Sequence, residues 1–365
     1  MRHLLADGGV QAQVVTPVPW FPSSSARFGA YAEYARVPRE ETRYGIRVLH
    51  PRYPLLPAVG MSVAPLLMAL AVYPLLRRLR GEYDVIDAHY FYPDGVAAAL
   101  LGKWLRVPVV ITARGTDINL IPRHRGPRRM ILWAARRAAH MITVCQALKD
   151  ELVALGADAG KITALRNGVD LERFRPVDRD AARKTLGLRR TTLLSVGHLI
   201  ERKGHHLVIE ALADLPDCEL LIAGDGEMDA ALRALATRFG VADRVRFLGA
   251  VPQEELRHVY GAADLLVLAS SREGWANVLL EAMACGTPVV ATRIWGTPEV
   301  VQSRAAGVLV PERSAAAIAA GVRELVASYP DRSATRRYAE GFGWEPTTHG
   351  QKEIFARVLA SGARA

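Results

Sequence analysis

The chain of 365 residues contains little cysteine, and its three cysteines lie far apart. Cys145, Cys218 and Cys285 form no C-x-x-C pair, which is the spacing that zinc sites and redox motifs use. Three separated cysteines also cannot build the set of bridges that holds a small secreted fold together. The pattern therefore excludes a disulfide-rich secreted domain and indicates a reducing, cytoplasmic compartment.

Several chemical signatures are missing as well. No cluster of His, Asp or Glu has the spacing of a metal site, and no G-x-S-x-G, Walker A or H-E-x-x-H motif is present. We therefore expect no metal requirement and no bound cofactor. We expect no signal peptide, because Asp7-Gly8-Gly9 follows the first few residues where an apolar stretch would stand.

Basic residues outnumber acidic residues mainly in the first half of the chain. Residues 1–172 carry 22 Lys and Arg against 14 Asp and Glu, a net charge of +8, whereas the remainder carries 25 against 23. A basic face favours anionic partners such as phospholipid headgroups, lipid pyrophosphates or nucleic acid. A solvated, arginine-rich surface is the alternative interpretation.

Charge is absent altogether from Tyr53 to Leu76, a stretch long enough to cross a bilayer. Its prolines, Pro54, Pro57, Pro65 and Pro74, predict repeated interruption of a helix. We therefore expect a loop followed by a helix that packs on the core or dips into a membrane, rather than a membrane span.

Half of the residues are hydrophobic, and the length suggests two domains, each with its own core. Short apolar runs alternate with helical stretches, which is typical of parallel α/β sheets. In the first half the predicted strands are Ala12–Thr16, Asp84–Ala88, Val107–Ala113 and Met141–Val144, and the predicted helices are Gly95–Leu105, Arg128–His140 and Ala147–Leu155. In the second half the predicted strands are Thr192–Val196, Glu219–Ala223, Val245–Leu248, Leu265–Ala269 and Thr287–Thr292. The predicted helices there are His206–Leu212, Met228–Phe239, Glu254–Ala262, Val278–Ala284, Ala315–Ser328 and Thr348–Leu359.

Two glutamates, Glu273 and Glu281, stand eight residues apart where a loop runs into a predicted helix. Gly274 lets the backbone approach a ligand closely. Glu273 can accept hydrogen bonds from sugar hydroxyls, and Glu281 can accept two from a ribose diol. The amides that open the helix carry the positive end of its dipole and suit a phosphate; they belong to Ala276, Asn277, Val278 and Leu279. The alternative is a capped surface helix with two solvated glutamates.

A second candidate is the loop that follows an earlier predicted strand. Gly197 permits a turn there, and Arg202 and Lys203 precede the next helix. Two cations at this place can neutralise a diphosphate leaving group in place of a metal ion, although an Arg-Lys pair alone is more often simply solvated. Gly224 and Gly226 follow the next strand; they match G-x-G-x-x-G poorly, so a tight turn explains them equally well.

In the first half, His89, Arg114 and Asp117 lie near the ends of two predicted strands, and we expect them to face the second domain across a cleft. Arg114 can hold a phosphate and Asp117 a hydroxyl. A lone histidine such as His89 is more often a packed or surface residue than a catalyst.

The segment Arg123–His140 contains six arginines around an apolar group that includes Trp133. Arg129 and Arg136 lie four residues before and three residues after this tryptophan, a spacing that allows a guanidinium to stack on its ring. A basic helix with apolar residues can lie on an anionic membrane. An ordinary surface helix is the alternative.

Taken together, these segments resemble the family 4 glycosyltransferases, which are retaining enzymes with the GT-B fold. The E-x7-E element Glu273–Glu281 is a signature of such enzymes, the Gly197–Gly204 loop is similar to their diphosphate-binding loop, and Asn167–Pro176 is similar to their interdomain segment. The resemblance runs from about Val14 to Phe355, and bacterial exopolysaccharide and teichuronic-acid-type transferases look most similar.

The resemblance implies two facing Rossmann-like domains with parallel sheets. Residues 1–172 would form the acceptor-side domain, residues 173–342 the nucleotide-sugar domain, and residues 343–365 a helix that crosses back to the first domain. It implies transfer of a sugar from a UDP- or GDP-sugar, with retention, to a glycan or lipid-linked acceptor in cell-surface polysaccharide synthesis. The expected location is the cytoplasm, at the inner face of the membrane, with no nucleic acid partner.

The same resemblance implies roles for single residues. Arg202 and Lys203 would stabilise the departing diphosphate, Glu273 would hold the donor sugar, and Glu281 the ribose. The backbone of the turn from Arg246 to Val251 would read the base. These assignments imply a front-side mechanism in which the leaving phosphate accepts the acceptor's proton.

The chain departs from the family pattern at a few places. His198 stands where the family usually carries arginine, and Arg114 stands where many members carry histidine. We also expect that an initial strand-loop-helix unit of about 30 residues is missing. A catalytically impaired sugar-nucleotide-binding protein is therefore the alternative function. A sugar-nucleotide epimerase with two Rossmann domains is a third possibility, which the Arg-Lys loop and the basic first half argue against.

Overall fold

A computed structural model describes residues 2–6, 8–54 and 60–362, and the chain divides into two compact units. The first unit comprises Met1–Leu165 and Pro346–Ala365, and the second unit comprises Arg166–Glu345.

The strands of the first unit form a central parallel sheet and two smaller ones. In chain order they are β1 (Val14–Val15), β2 (Val18–Trp20), β3 (Glu40–Arg43), β4 (Ile46–Leu49), β5 (Arg52–Pro54), β6 (Ile86–His89), β7 (Val109–Ala113), β8 (His140–Thr143) and β9 (Ile162–Ala164). The central sheet has the order β6-β7-β8-β9, and all of its neighbouring strands are parallel. Every residue of β7 is buried, as expected for a strand covered on both faces.

Helices surround these strands. They are α1 (Arg2–Leu5), α2 (Ala30–Arg36), α3 (Gly60–Arg78), α4 (Val96–Leu105), α5 (Thr116–Asn119), α6 (Arg125–Arg137) and α7 (Gln146–Ala154). In α6, the guanidinium over the Trp133 ring belongs to Arg137, 5.1 Å from the ring centre. Arg137, one helical turn after the tryptophan, rather than Arg129 or Arg136, thus lies over the ring.

The expectation that prolines interrupt the charge-free segment was wrong for its described part. The helix α3 continues through Pro65 and Pro74, while residues 55–59 of the segment lie outside the described residues. An interior proline costs a helix about 3 kcal/mol. Burial of one face of α3 against α4 offsets that cost; the packed residues are Met68, Ala69, Val72 and Leu76 of α3 with Ala97, Leu101 and Leu105 of α4. Across the described residues, no helix is both long and apolar enough to cross a bilayer.

The second unit is built on a single parallel sheet within its described residues. Its strands are β10 (Thr191–Val196), β11 (Cys218–Ala223), β12 (Val245–Gly249), β13 (Leu265–Leu268), β14 (Val289–Thr292) and β15 (Gly307–Val310). Their spatial order is β12-β11-β10-β13-β14-β15. This is the strand order of dinucleotide-binding Rossmann sheets, in which the order reverses between the first and fourth strands.

Helices cover both faces of this sheet. They are α8 (Arg179–Leu186), α9 (His205–Ala213), α10 (Asp229–Arg238), α11 (Gln253–Ala262), α12 (Asn277–Ala284), α13 (Thr297–Val300), α14 (Ala315–Ala327) and α15 (Arg332–Glu340). A last helix, α16 (Glu345–Gly362), packs Ile354, Phe355 and Val358 on the core of the first unit, against Val110 and Ile142. The predicted pattern of alternating strands and helices is confirmed.

Candidate functional site

The strands β10 and β13 are neighbours at the place where the strand order of the second unit reverses. Loops that leave the carboxyl ends of two such strands run in opposite directions and open a crevice, which is where α/β sheets bind ligands. The loop after β10 begins at Gly197, and the loop after β13 leads to Glu273. The topology therefore brings both predicted motifs to one edge of the sheet.

Close backbone packing explains the glycines at this edge. Gly197 has a φ of 142°, and a Cβ added to Gly224 would lie 1.9 Å from the Gly197 carbonyl oxygen. A Cβ added to Gly226 would lie 2.7 Å from the Leu199 carbonyl oxygen. Gly224 and Gly226 therefore require glycine because one loop's backbone rests on the next, and Gly197 requires it because of its positive φ, whether or not a ligand is present.

The loop after β10 is fastened to the loop after β13. The amide of Ser271 donates to the Arg202 carbonyl at 2.9 Å, and the Arg202 guanidinium donates to the Arg272 carbonyl at 2.9 Å. A Cβ on Gly204 would lie 2.1 Å from the Ala269 carbonyl oxygen, so the two loops touch backbone to backbone. These contacts fix the place of the two cations relative to Glu273.

The carboxylate of Glu273 is buried between these loops, with 9% of the residue exposed. Its Oε1 accepts hydrogen bonds from the Lys203 ammonium and from the Ser270 hydroxyl, each at 2.7 Å, and Arg202 Nη1 lies 3.9 Å away. Two cations beside one carboxylate leave one net positive charge at the crevice. The structure thus brings together Glu273, Arg202 and Lys203, which the sequence proposed as the catalytic group.

The amides at the start of α12 are less available than predicted. Asn277 donates its N–H to the Trp275 carbonyl at 3.1 Å, and Leu279 donates to the Ala276 carbonyl at 3.0 Å. Among the residues that the structure describes, no side chain caps the start of this helix. The prediction that all four amides are available to a phosphate is therefore wrong for Asn277 and Leu279, because the chain turns tightly enough before the helix to supply their acceptors.

Glu281 lies in the second turn of α12, where its Oε2 accepts a hydrogen bond from the Tyr260 hydroxyl at 2.8 Å. Burial raises the pKa of the Glu281 carboxyl, and the Tyr260 hydrogen bond opposes that rise. Burial raises the pKa of Tyr260 as well. One of the two carboxylate oxygens is therefore already engaged within the protein, which the sequence did not indicate.

The segment proposed to read the base is divided between two places. Arg246 lies inside β12, and its Nη1 donates to the Leu186 carbonyl at 2.6 Å, toward the amino end of the sheet. Gly249, with a φ of 69°, ends the strand, and its carbonyl accepts from Gly224 N–H at 2.8 Å. Val251 follows at the carboxyl edge. Arg246 was thus wrongly grouped with this turn, because the strand continues for three residues beyond it.

A buried histidine supports the same loop and was missed by sequence reasoning. His205, the first residue of α9, is 2% exposed; its Nε2 lies 3.2 Å from the His198 carbonyl and its Nδ1 lies 2.8 Å from the Ser195 hydroxyl. A carbonyl oxygen only accepts, so Nε2 carries the hydrogen and Nδ1 accepts from Ser195. Burial lowers the pKa of His205 to about 4, which keeps the ring neutral.

In the first unit, the predicted acceptor-side residues cluster, but their contacts differ from expectation. Asp117 is fully buried and accepts hydrogen bonds from the backbone N–H groups of Phe91, Arg114 and Gly115 at 2.7 to 3.1 Å. The expectation that Asp117 holds a ligand hydroxyl was wrong, because its carboxylate organises these loops. His89 is exposed; it hydrogen-bonds the Arg114 guanidinium and lies 3.2 Å from Asp87 Oδ2. Burial lowers the pKa of Arg114.

The second unit has the strand order of the α/β sheets that bind nucleotides, with a cationic loop and a carboxylate at the switch point. Residues 2–173 match the family model Glycosyltransferase Family 4, and residues 178–342 match the model Glycosyl transferases group 1.

Two bacterial relatives are similar over most of this chain. The D-inositol 3-phosphate glycosyltransferase of Geodermatophilus obscurus is 36% identical over 295 residues, which are 73% of this chain and 65% of that protein. D-inositol 3-phosphate glycosyltransferase 1 of Catenulispora acidiphila is 32% identical over 316 residues, or 78% of this chain and 75% of that protein. The chain thus spans just under two thirds of the first relative's length. It belongs to the family 4, group 1 glycosyltransferases.

A solved structure supports the fold assignment. The Anabaena protein HepE, in complex with UDP and glucose, matches with a TM-score of 0.75 and 24% sequence identity, over 93% of this chain and 91% of that one. The predicted GT-B fold, with two Rossmann-like domains built on parallel sheets, is therefore confirmed.

Proposed function

We propose that the protein is a retaining glycosyltransferase that moves a sugar from a UDP- or GDP-sugar to a lipid-linked or glycan acceptor in cell-surface polysaccharide synthesis. The observation that carries the proposal is the contact of Lys203 and Arg202 with Glu273 at the switch point of a nucleotide-binding sheet. The match to glycosyltransferase family models supports sugar transfer as the reaction that this cluster serves.

The proposed reaction begins when the bond between the anomeric carbon and the donor's phosphate oxygen breaks. Negative charge then develops on the diphosphate, and Arg202 and Lys203 neutralise it in place of a metal ion. The leaving phosphate accepts the proton of the acceptor hydroxyl, whose oxygen bonds to the anomeric carbon on the same face. A diphosphate that draws Lys203 toward itself frees Oε1 of Glu273 to accept a hydrogen bond from a donor hydroxyl.

The names of the relatives favour a second acceptor, D-inositol 3-phosphate. Both acceptors carry an anionic phosphate, and the partly buried cation Arg114 in the first unit suits either one. We favour the lipid-linked acceptor because the first half of the chain carries most of the positive charge, which an anionic membrane surface attracts. Assays with each acceptor in turn separate the two.

The test compares sugar transfer by the wild type with transfer by Arg202→Ala/Lys203→Ala. Loss of such electrostatic groups lowers the rate by about 10²-fold or more. Lys184→Ala is the matched control, because Lys184 is an exposed lysine on α8, remote from the switch point. A transfer rate of the double variant within about threefold of the wild-type rate would refute the mechanism.

A thermal-shift screen with UDP, GDP, ADP and their sugars identifies the donor, because a ligand that binds only the folded state raises its stability. Nucleotide binding without transfer to any acceptor would instead favour a binding protein. A rearranged free nucleotide sugar, formed with no acceptor present, would favour an epimerase.

A further inference from the structure

The helix α3 of the first unit is apolar on every side. From Gly60 to Leu76 it carries no charged residue, and one face, with Met68, Ala69, Val72 and Leu76, is buried in the core. A surface helix ordinarily turns charged or polar residues outward, and a helix that is apolar all round has both faces covered. The outward face of α3 is therefore the unusual feature.

That outward face is exposed to solvent. Leu66 is 45% exposed and Leu70 is 54% exposed, and Tyr73 and Pro74 follow on the same side at helical spacing. The ring of Tyr73 meets the ring of Trp104 on α4 edge to face, with 5.8 Å between centroids, and Trp104 is 37% exposed. We call this surface the α3 patch; it consists of Leu66, Leu70, Tyr73, Pro74 and Trp104.

Exposed cations stand at the end of the patch. Arg77 lies on the same side of α3 as Leu66 and Leu70, and it is followed by Arg78 and Arg80. Lys103 and Arg106 flank Trp104 at the end of α4. Between Gly60 and Gly81 the chain carries no acidic residue. The patch is thus an apolar surface with a positive margin.

We propose that the α3 patch docks on the surface of a membrane that contains anionic lipids. Leucine, tyrosine and tryptophan side chains enter the boundary between headgroups and acyl chains, and the arginines and lysine pair with lipid phosphates. A second copy of this chain is a poorer partner, because a symmetric contact through the same patch would bring two positive margins together. The helix lies on the membrane rather than across it.

This inference deepens the proposed function, since it gives the transferase a place beside a lipid-linked acceptor, but membrane binding is measured without any transfer reaction. The full chain is sedimented with phosphatidylcholine vesicles, with and without phosphatidylglycerol. We expect binding to the anionic vesicles that weakens as salt is added. Leu66→Ser/Leu70→Ser should lower the partition coefficient by about tenfold or more, because less apolar surface leaves water.

Leu359→Ser is the matched control, since Leu359 is an exposed leucine of the first unit outside the patch. Far-UV circular dichroism and the UDP or GDP thermal shift should be the same in all variants. Equal vesicle binding by the Leu66→Ser/Leu70→Ser variant and the wild type would overturn the proposal. A second result would also overturn it: the wild type does not bind anionic vesicles but forms a dimer in analytical ultracentrifugation, and Leu66→Ser/Leu70→Ser abolishes that dimer. In either case, unchanged transfer activity would leave the proposed function standing.

Discussion

Replacing Lys203 with alanine removes the ammonium group that lies 2.7 Å from the buried Glu273 carboxylate. Breaking a buried ion pair from one side costs about 3–5 kcal/mol, because the remaining charge stays out of water without its partner. Here Ser270 still donates to Oε1 and Arg202 Nη1 lies 3.9 Å away, so part of the compensation remains. We expect Lys203→Ala to lower the free energy of unfolding by about 2 kcal/mol.

The assay is urea denaturation in the absence of nucleotide, with a double-mutant cycle. Glu273→Gln removes the charge that Lys203 neutralises, so Lys203→Ala/Glu273→Gln should be more stable than Lys203→Ala alone, with a coupling of about 1 kcal/mol or more. Lys184→Ala, the exposed control, should stay within about 0.5 kcal/mol of the wild type. Equal effects of Lys203→Ala and Lys184→Ala, or a double variant that gains nothing from Glu273→Gln, would refute the ion-pair reasoning.

Three further changes have defined outcomes. Gly224→Ala should weaken nucleotide binding and lower the melting temperature, since its Cβ would lie 1.9 Å from the Gly197 carbonyl oxygen; thermal shift with and without UDP or GDP measures both. As pH falls from 6.5 to about 4, the free energy of unfolding of the wild type should drop by about 3 kcal/mol through His205, because in that range only the unfolded state binds the proton. The same pH series on His205→Gln should lack this drop. Asp117→Asn should cost about 2 kcal/mol in urea denaturation, because its amide cannot accept from three backbone N–H groups, whereas Asp158→Asn on an exposed turn should cost less.

The site could be predicted from sequence to the extent that it depends on strand ends. Gly197, Lys203 and Glu273 each follow a short apolar strand, and parallel strands gather their carboxyl ends at one edge of the sheet. That β10 and β13 are neighbours follows from tertiary packing, and only the resemblance to a known family supplied it in advance.

Other features depend on contacts that sequence spacing does not encode. The ring of His205 finds Ser195 and the His198 carbonyl only after the strand and the helix have packed. The helix α3 tolerates Pro65 and Pro74 because burial of its inner face outweighs their local cost. Tertiary packing thus supplies both of these features.

One missed element did have a local signal. The helix α8 begins after Asp178, whose carboxylate accepts from the Ala181 N–H at 3.0 Å, and ends before Gly187, which has a φ of 59°. An aspartate cap and a terminal glycine mark a helix in the sequence even where apolar periodicity is weak. This helix was therefore predictable from its ends.

The central claim is that Arg202 and Lys203 receive the charge of a diphosphate. Its most direct test is calorimetric titration of the wild type and of Arg202→Ala/Lys203→Ala with a nucleoside diphosphate and with the matching nucleoside. We expect the wild type to prefer the diphosphate by about a hundredfold or more, and the variant to lose most of that preference while binding the nucleoside as before. An unchanged preference in the variant would contradict the claim.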